Sequence, residues 1–180
     1  MRVFRTGPET ERVEHRAFTL NDCEAFYRLN SHPEVMRFTC EQPLHAMEDA
    51  RQAIANYPDF ETVGYGRWAC VLKATGAVIG FCGLKYLPEL DEVDVGFRFL
   101  PEYWGQGLAT ETCSACIAFG FDVLNLSRIL GLVLTANKAS IRVLEKCGMT
   151  RNGEVAFDGA CALKYVVHRS PQDCDSSLLL

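Results

Sequence analysis

The stretch that most constrains the fold runs from Glu92 to Leu134, where a strand pattern, a helix pattern and a second strand pattern follow in succession. "DEVDVGFRFL" alternates, so Val93, Val95, Phe97 and Phe99 fall on one face and Asp94, Gly96 and Arg98 on the other. "SRILGLVL" is a continuous apolar run, as expected of a buried strand. Between them the pattern predicts a helix over Gly107–Val123. A strand–helix–strand crossover of this kind requires a layered domain with helices against a sheet.

The flanking segments extend that sheet. "RWACVLKATGAVIGFCGLKYL" has two β-rich runs about Thr75-Gly76, a hairpin signal. With the alternating strand they make a three-stranded meander, in which Gly96 is read as a bulge. Residues 12–18 read as a first strand, followed by Thr19 and Asp22 in a capping pattern and a helix over Asp22–Asn30. "SHPEVMRFTCEQP" reads as a loop broken by Pro33 and Pro43, and residues 46–57 as a helix that stops before Pro58. Asn137 caps a helix ending at Gly148, and the runs 149–157 and 160–168 flank an Asp158-Gly159 hairpin turn. The expectation is one α/β domain, layered as in α+β folds, over residues 9–169. It has a mostly antiparallel mixed sheet of six to seven strands and about four helices. Residues 170–180 are expected to form a disordered tail.

Composition removes several classes of function. The 180 residues suit one domain, and the net charge of −5 disfavours DNA or other nucleic acid as partner. The N-terminus lacks the apolar core of a signal peptide, and no run approaches the roughly 18 to 20 apolar residues of a membrane span. The expected location is cytoplasmic, with no membrane partner. Nine cysteines follow no framework spacing. Cys113 and Cys116 have CxxC spacing but no second pair, so they are read as one packed helix face and no metal site is expected. The four histidines match no metal spacing.

"EYWGQGLATET" carries the chemistry. A glycine-rich turn at a helix start leaves unpaired backbone N–H groups pointing outward, with the positive end of the helix dipole behind them. Gly105 and Gly107 let an anion approach that backbone closely. The stretch lacks both the Lys of a nucleotide-hydrolysing loop and the third glycine of a dinucleotide-binding loop. A tight turn with no ligand is the alternative.

Trp104-Gly105-Gln106-Gly107-Leu108-Ala109 resembles the pyrophosphate-binding pattern of the GNAT N-acetyltransferases, with Trp104 in place of the leading Arg or Gln. The "YWGxGxATE" form is similar to the ribosomal-protein-alanine N-acetyltransferase branch. "TGAVIGFCGL", "NKASIRVLEKCGM" and "ETERVEHRAFTLNDCEAFYRLNSHPEVMRF", residues 9–38, extend the likeness across residues 9 to about 169. The resemblance implies acetyl-CoA as co-substrate and a primary amine, of a protein N-terminus or a small molecule, as acceptor. Backbone amides of Gly105, Gln106, Gly107, Leu108, Ala109 and Thr110 would hold the pyrophosphate. The strand carrying Phe97, Arg98 and Phe99 would bond the pantetheine arm, with a backbone N–H near Phe97 polarising the thioester carbonyl. Asn137 would cap its helix and also touch the arm. A homodimer is left open.

Acetyl transfer to an amine requires a neutral amine and a proton for the departing thiolate. Many relatives supply that proton from a tyrosine, but the matching position here is Leu144. The ribosomal-type branch implies Ser140 instead; a first-turn serine bonded to backbone is the alternative. Asp94 stands where those enzymes carry a glutamate and is the candidate base, against a solvated surface carboxylate. Glu92 and Glu154 are alternatives, and an amine of low pKa needs no dedicated base. The expected reaction is direct attack by the amine in a ternary complex. The competing reading is a non-catalytic acyl-CoA-binding module. The loop Ser31–His45 and the hairpin at Asp158-Gly159 would wall the acceptor site with Glu34, Arg37, Glu41, Glu154, Phe157 and Asp158.

Overall fold

The computed structural model describes residues 2–157 and 159–170. Asp158 and the expected tail from residue 171 lie outside the described residues. Seven strands form one sheet: β1 (Val13–Arg16), β2 (Arg67–Leu72), β3 (Ala77–Leu87), β4 (Glu92–Phe99), β5 (Arg128–Leu134), β6 (Thr150–Phe157) and β7 (Ala160–His168). Their order is β1-β2-β3-β4-β5-β7-β6. Every neighbouring pair is antiparallel except β4 and β5, which the crossover makes parallel.

The helices are α1 (Cys23–Ser31), α2 (Pro33–Met36), α3 (Met47–Ala55), α4 (Asp59–Thr62), α5 (Leu108–Asp122) and α6 (Lys138–Lys146). The apolar face of β4 joins the main core, where Val95, Ile79, Leu84 and Ile129 meet Cys113, Cys116 and Ile117 of α5. Cys113 and Cys116 are fully buried there. Each leucine or isoleucine sealed in this layer contributes about 1.5–3 kcal/mol over an exposed one. A smaller cluster of Leu29, Val35 and Leu100 holds α1 and α2 against the opposite face.

Local chemistry explains the helix starts. Asp22 accepts from the Thr19 amide and hydroxyl at 2.7 and 2.9 Å, which turns the chain through Leu20–Asp22 into α1. The expected loop after Ser31 contains α2 instead. His32 Nδ1 accepts the Glu34 amide at 3.2 Å, and Pro33 occupies the first turn, where no N–H is needed. α4 likewise begins directly after Pro58, while α3 ends at Ala55.

Gly96 does not mark a bulge. β3 and β4 pair without interruption from Gly80↔Phe99 to Leu87↔Glu92, and the register shifts fall at Cys70/Val71 and Arg151/Glu154. A Cβ on Gly96 would sit 2.5 Å from Arg67 Nη2, so the glycine is a lane for a side chain crossing the sheet.

Candidate active site

β4 and β5 part from one another. Among the described residues they pair only at Asp94↔Leu130. Just beyond β4, the Leu100 N–H donates to Ile79 O on β3, at 3.0 Å. Strand alternation therefore turns the main-chain groups of Arg98, Gly96 and Asp94 toward β3, and those of Val95, Phe97 and Phe99 toward the gap. Arg98 is thus no main-chain partner for a ligand in the gap; its side chain enters the site instead. The indole of Trp104 donates to the Phe99 carbonyl at 2.7 Å, pairing a group that β5 no longer reaches. Trp104 is 48% exposed, so its ring stays on the surface while its N–H closes the turn.

A cleft of about 860 Å³ runs through this gap and across the α1–α3 side of the sheet. Asp94, Phe97, Arg98, Phe99, Gly105, Gly107, Leu108, Ala109, Thr110, Asn137 and Ser140 all line it. Gln106 does not; its amide side chain donates to Glu102 O at 2.9 Å. Gly105 and Gly107 have φ of +74° and +80°, the left-handed conformation that favours glycine. Gly107 is the N-cap of α5, and the first helical N–H to find a partner is that of Glu111, bonded to Gly107 O. The N–H groups of Leu108, Ala109 and Thr110 precede it and have no intrahelical acceptor.

Arg12 adds a cation beside this loop that the sequence reading missed. Its Nη1 donates to Gln106 O at 3.0 Å and its Nε to Glu111 Oε2 at 2.7 Å. No local signal marks it, because its partners lie about a hundred residues away. Arg142 and Lys146, exposed on one face of α6, also line the cleft.

Asp94 is not a solvated surface carboxylate. It is 7% exposed, and its Oδ1 accepts the Leu132 N–H at 3.0 Å while Oδ2 pairs with Arg67 Nη2. Burial pushes its carboxyl above the usual carboxylate range, against the opposing pull of Arg67 and the Leu132 N–H. Arg67 Nη1 also donates to the Gly83 and Asp94 carbonyls, so both terminal nitrogens of its guanidinium are held. Glu92 pairs with Arg128 and Glu154 with Arg151, and neither lines the cleft.

Ser140 is half-buried on the first turn of α6, its N–H held at 3.1 Å by the Asn137 side chain, which caps the helix. Leu144 is 2% exposed and belongs to the core. Of the residues expected to wall an acceptor, Glu34, Glu41 and Phe157 line the cleft, and Arg37 and Glu154 do not. Among the described residues no His, Cys, Asp and Glu side chains gather in a metal-holding group, and no helix is long and apolar enough to cross a membrane.

The gap, the open helix N-terminus and the basic groups fit a long ligand that has an anionic end and a hydrogen-bonding arm. Known proteins resemble this chain in sequence and in fold. Residues 12–150 match the model of the acetyltransferase (GNAT) domain. The chain is 33% identical to the uncharacterized N-acetyltransferase YoaA of Bacillus subtilis, over 81% of this chain and 83% of that protein. The crystal structure of a GNAT-family acetyltransferase from Bacillus anthracis superposes with a TM-score of 0.76 at 26% identity, covering 89% of this chain and 97% of that one. Spermidine N-acetyltransferase from Vibrio cholerae, solved with CoA and spermine, shares the fold at 19% identity and a TM-score of 0.71, over 87% and 95% of the two chains. The chain belongs to the GNAT acetyltransferase family and is an acetyl-CoA-dependent N-acetyltransferase.

Proposed function

We propose that the protein transfers the acetyl group of acetyl-CoA to a primary amine by direct attack within a ternary complex. The observation that carries this reading is the gap between β4 and β5, which opens beyond Asp94↔Leu130 into the same cleft as the glycine-turned start of α5. The N–H groups of Leu108, Ala109 and Thr110 receive the pyrophosphate at the positive end of the helix dipole, and Arg12 adds charge beside them. Val95, Phe97 and Phe99 present main-chain groups to the pantetheine arm. The N–H of Phe97 stabilises negative charge on the thioester oxygen.

Asp94 takes the proton from the acceptor ammonium. Its burial raises its proton affinity toward that of an amine, while its pairing with Arg67 favours the carboxylate form that can accept a proton. Ser140 delivers a proton to the departing sulfur, its position fixed by the Asn137 cap. From the ammonium, nitrogen loses two protons, one to Asp94 before attack and one as the C–N bond forms; sulfur gains one as the C–S bond breaks, and the other passes to solvent.

Product formation from acetyl-CoA and an amine panel, followed by mass spectrometry, tests the reading. Binding of acetyl-CoA at micromolar to low millimolar concentration by calorimetry should accompany it. Absence of binding at millimolar ligand would end the proposal.

A further inference from the structure

On the α1–α3 side of Asp94 the cleft has an arm whose chemistry is specific. Arg98 lies on its floor with a side chain 10% exposed. Its guanidinium stacks over Phe81 at 5.2 Å and donates through Nη1 to Asn30 Oδ1. Asn30 is fixed in turn, its amide donating to Phe26 O at 2.8 Å. Through Nη2, Arg98 donates at 3.0 Å to Glu41 Oε2.

The two partners differ in kind. Asn30 is buried on α1, whereas Glu41 is 65% exposed and stands in a segment outside any helix or strand. A buried guanidinium needs an anion, because removing it from water uncompensated is costly. Glu41 supplies that anion from an exposed, exchangeable position. Around it Phe18, Phe26, Phe38 and Phe81, all half-buried, line the same arm.

The charge in this arm does not favour a polycation. Arg67, Lys85 and Arg98 face Asp94, Glu34 and Glu41, and the Arg5–Glu61 pair at the margin cancels. Asp94 and Glu41 are already paired, and Glu34 is the carboxylate left over.

We infer that the acceptor is a free α-amino acid with an apolar side chain, whose carboxylate takes the place of Glu41 on Arg98 while its amine faces Asp94. This rests on the acetyl-transfer reading and names its acceptor. In the step a C–N bond forms as the thioester C–S bond breaks, and the product is an N-acetyl amino acid and CoA.

The test uses two matched triplets: phenylalanine, phenylalaninamide and phenethylamine, and leucine, leucinamide and isopentylamine. Acetylated product is measured by mass spectrometry. In at least one triplet, kcat/KM for the amino acid should exceed that for its amide and its decarboxylated amine by about tenfold or more, the range of a charged hydrogen bond. Arg98→Gln should erase the preference while acetyl-CoA affinity by calorimetry stays unchanged. Glu41→Gln keeps an amide oxygen for Arg98 but removes the competing charge, so it should lower KM for the amino acid severalfold without lowering KM for the amide, with urea unfolding confirming that the variant is folded. Equal rates within both triplets, or an amine acetylated in place of either amino acid, would overturn the inference while leaving acetyl transfer intact. So would spermidine outcompeting both amino acids. Failure to bind acetyl-CoA would overturn both.

Discussion

Asp94 Oδ1 on β4 accepts the Leu132 N–H of β5 at 3.0 Å, close to the Asp94↔Leu130 pair beyond which the two strands separate. One carboxylate thereby ties the apex of the gap and, through Oδ2, holds Arg67. Asp94→Asn keeps an oxygen for Leu132 but removes the charge opposite a buried guanidinium. Breaking one half of a buried ion pair costs about 3–5 kcal/mol. Urea unfolding should show a loss approaching that range. The proton acceptor is lost as well, so kcat should fall by about 10²–10⁴, while acetyl-CoA affinity changes little.

Gly96→Ala tests the lane rather than the charge. The new Cβ would meet Arg67 Nη2 at 2.5 Å, and Arg67 is anchored on Gly83 O and on Asp94, so it cannot swing away freely. Overpacking of this kind costs about 1–3 kcal/mol. Lower stability and lower kcat are expected together, again with unchanged acetyl-CoA affinity.

These two residues show where sequence reading stops. The order of strands and helices, the crossover, the glycine turn and the cap at Asn137 were legible because each is a local pattern of period, turn chemistry or capping. Gly96 was misread, since its purpose depends on a side chain from β2 that crosses two strands. Asp94 was placed on the polar face of its strand, correctly, but there Arg67 of β2 and the Leu132 N–H of β5 enclose it in place of water. Arg98, on the same face, is held by Asn30 of α1 and over Phe81 of β3, and so becomes a floor residue of the cleft. Pro33 looked like a breaker, yet the first helical turn needs no N–H there. Arg12 gave no local sign, because its role at Gln106 and Glu111 exists only once β1 lies beside the start of α5.

Gly107→Ala separates backbone strain from ligand binding. At φ +80° an alanine is strained by about 1–2 kcal/mol, and relief of that strain would shift the turn that aims the N–H groups of Leu108, Ala109 and Thr110. Stability should fall by about that amount, and acetyl-CoA affinity should fall about tenfold or more, the equivalent of about 1.4 kcal/mol. Gly76→Ala is the control. Its φ is +71° in the β2–β3 turn, with nothing within 4 Å of the added Cβ. It should show a similar loss of stability with no change in affinity.

Ser140 and Asn137 share one turn of α6 but should fail differently. Ser140→Ala removes the hydroxyl alone, because the bond to Asn137 is made by the serine's backbone N–H. It should lower kcat by about 10²-fold or more with little change in stability. Asn137→Ala removes the cap and should cost about 1 kcal/mol in urea unfolding.

Acid should weaken the start of α1. Burial alone would raise the Asp22 carboxyl, but Arg16, bonded at 2.7 and 2.9 Å, and Thr19 override it and hold the group below its ordinary value of 3.8. A lowered carboxylate pKa means that the folded state binds that proton less readily than the unfolded chain does. Its stabilisation is therefore complete above the ordinary value and is lost as pH falls through it toward the folded value. Urea midpoints measured from pH 7 down to pH 3 should stay nearly level and then drop below about pH 4. Asp22→Asn should lower the midpoint at pH 7 and flatten the drop. A residual slope should remain, because Glu111 is also held below its ordinary value by Thr10 and Arg12 against its own burial. If the mutant's profile keeps the full wild-type slope, Asp22 is not the group whose protonation loosens this end of the fold.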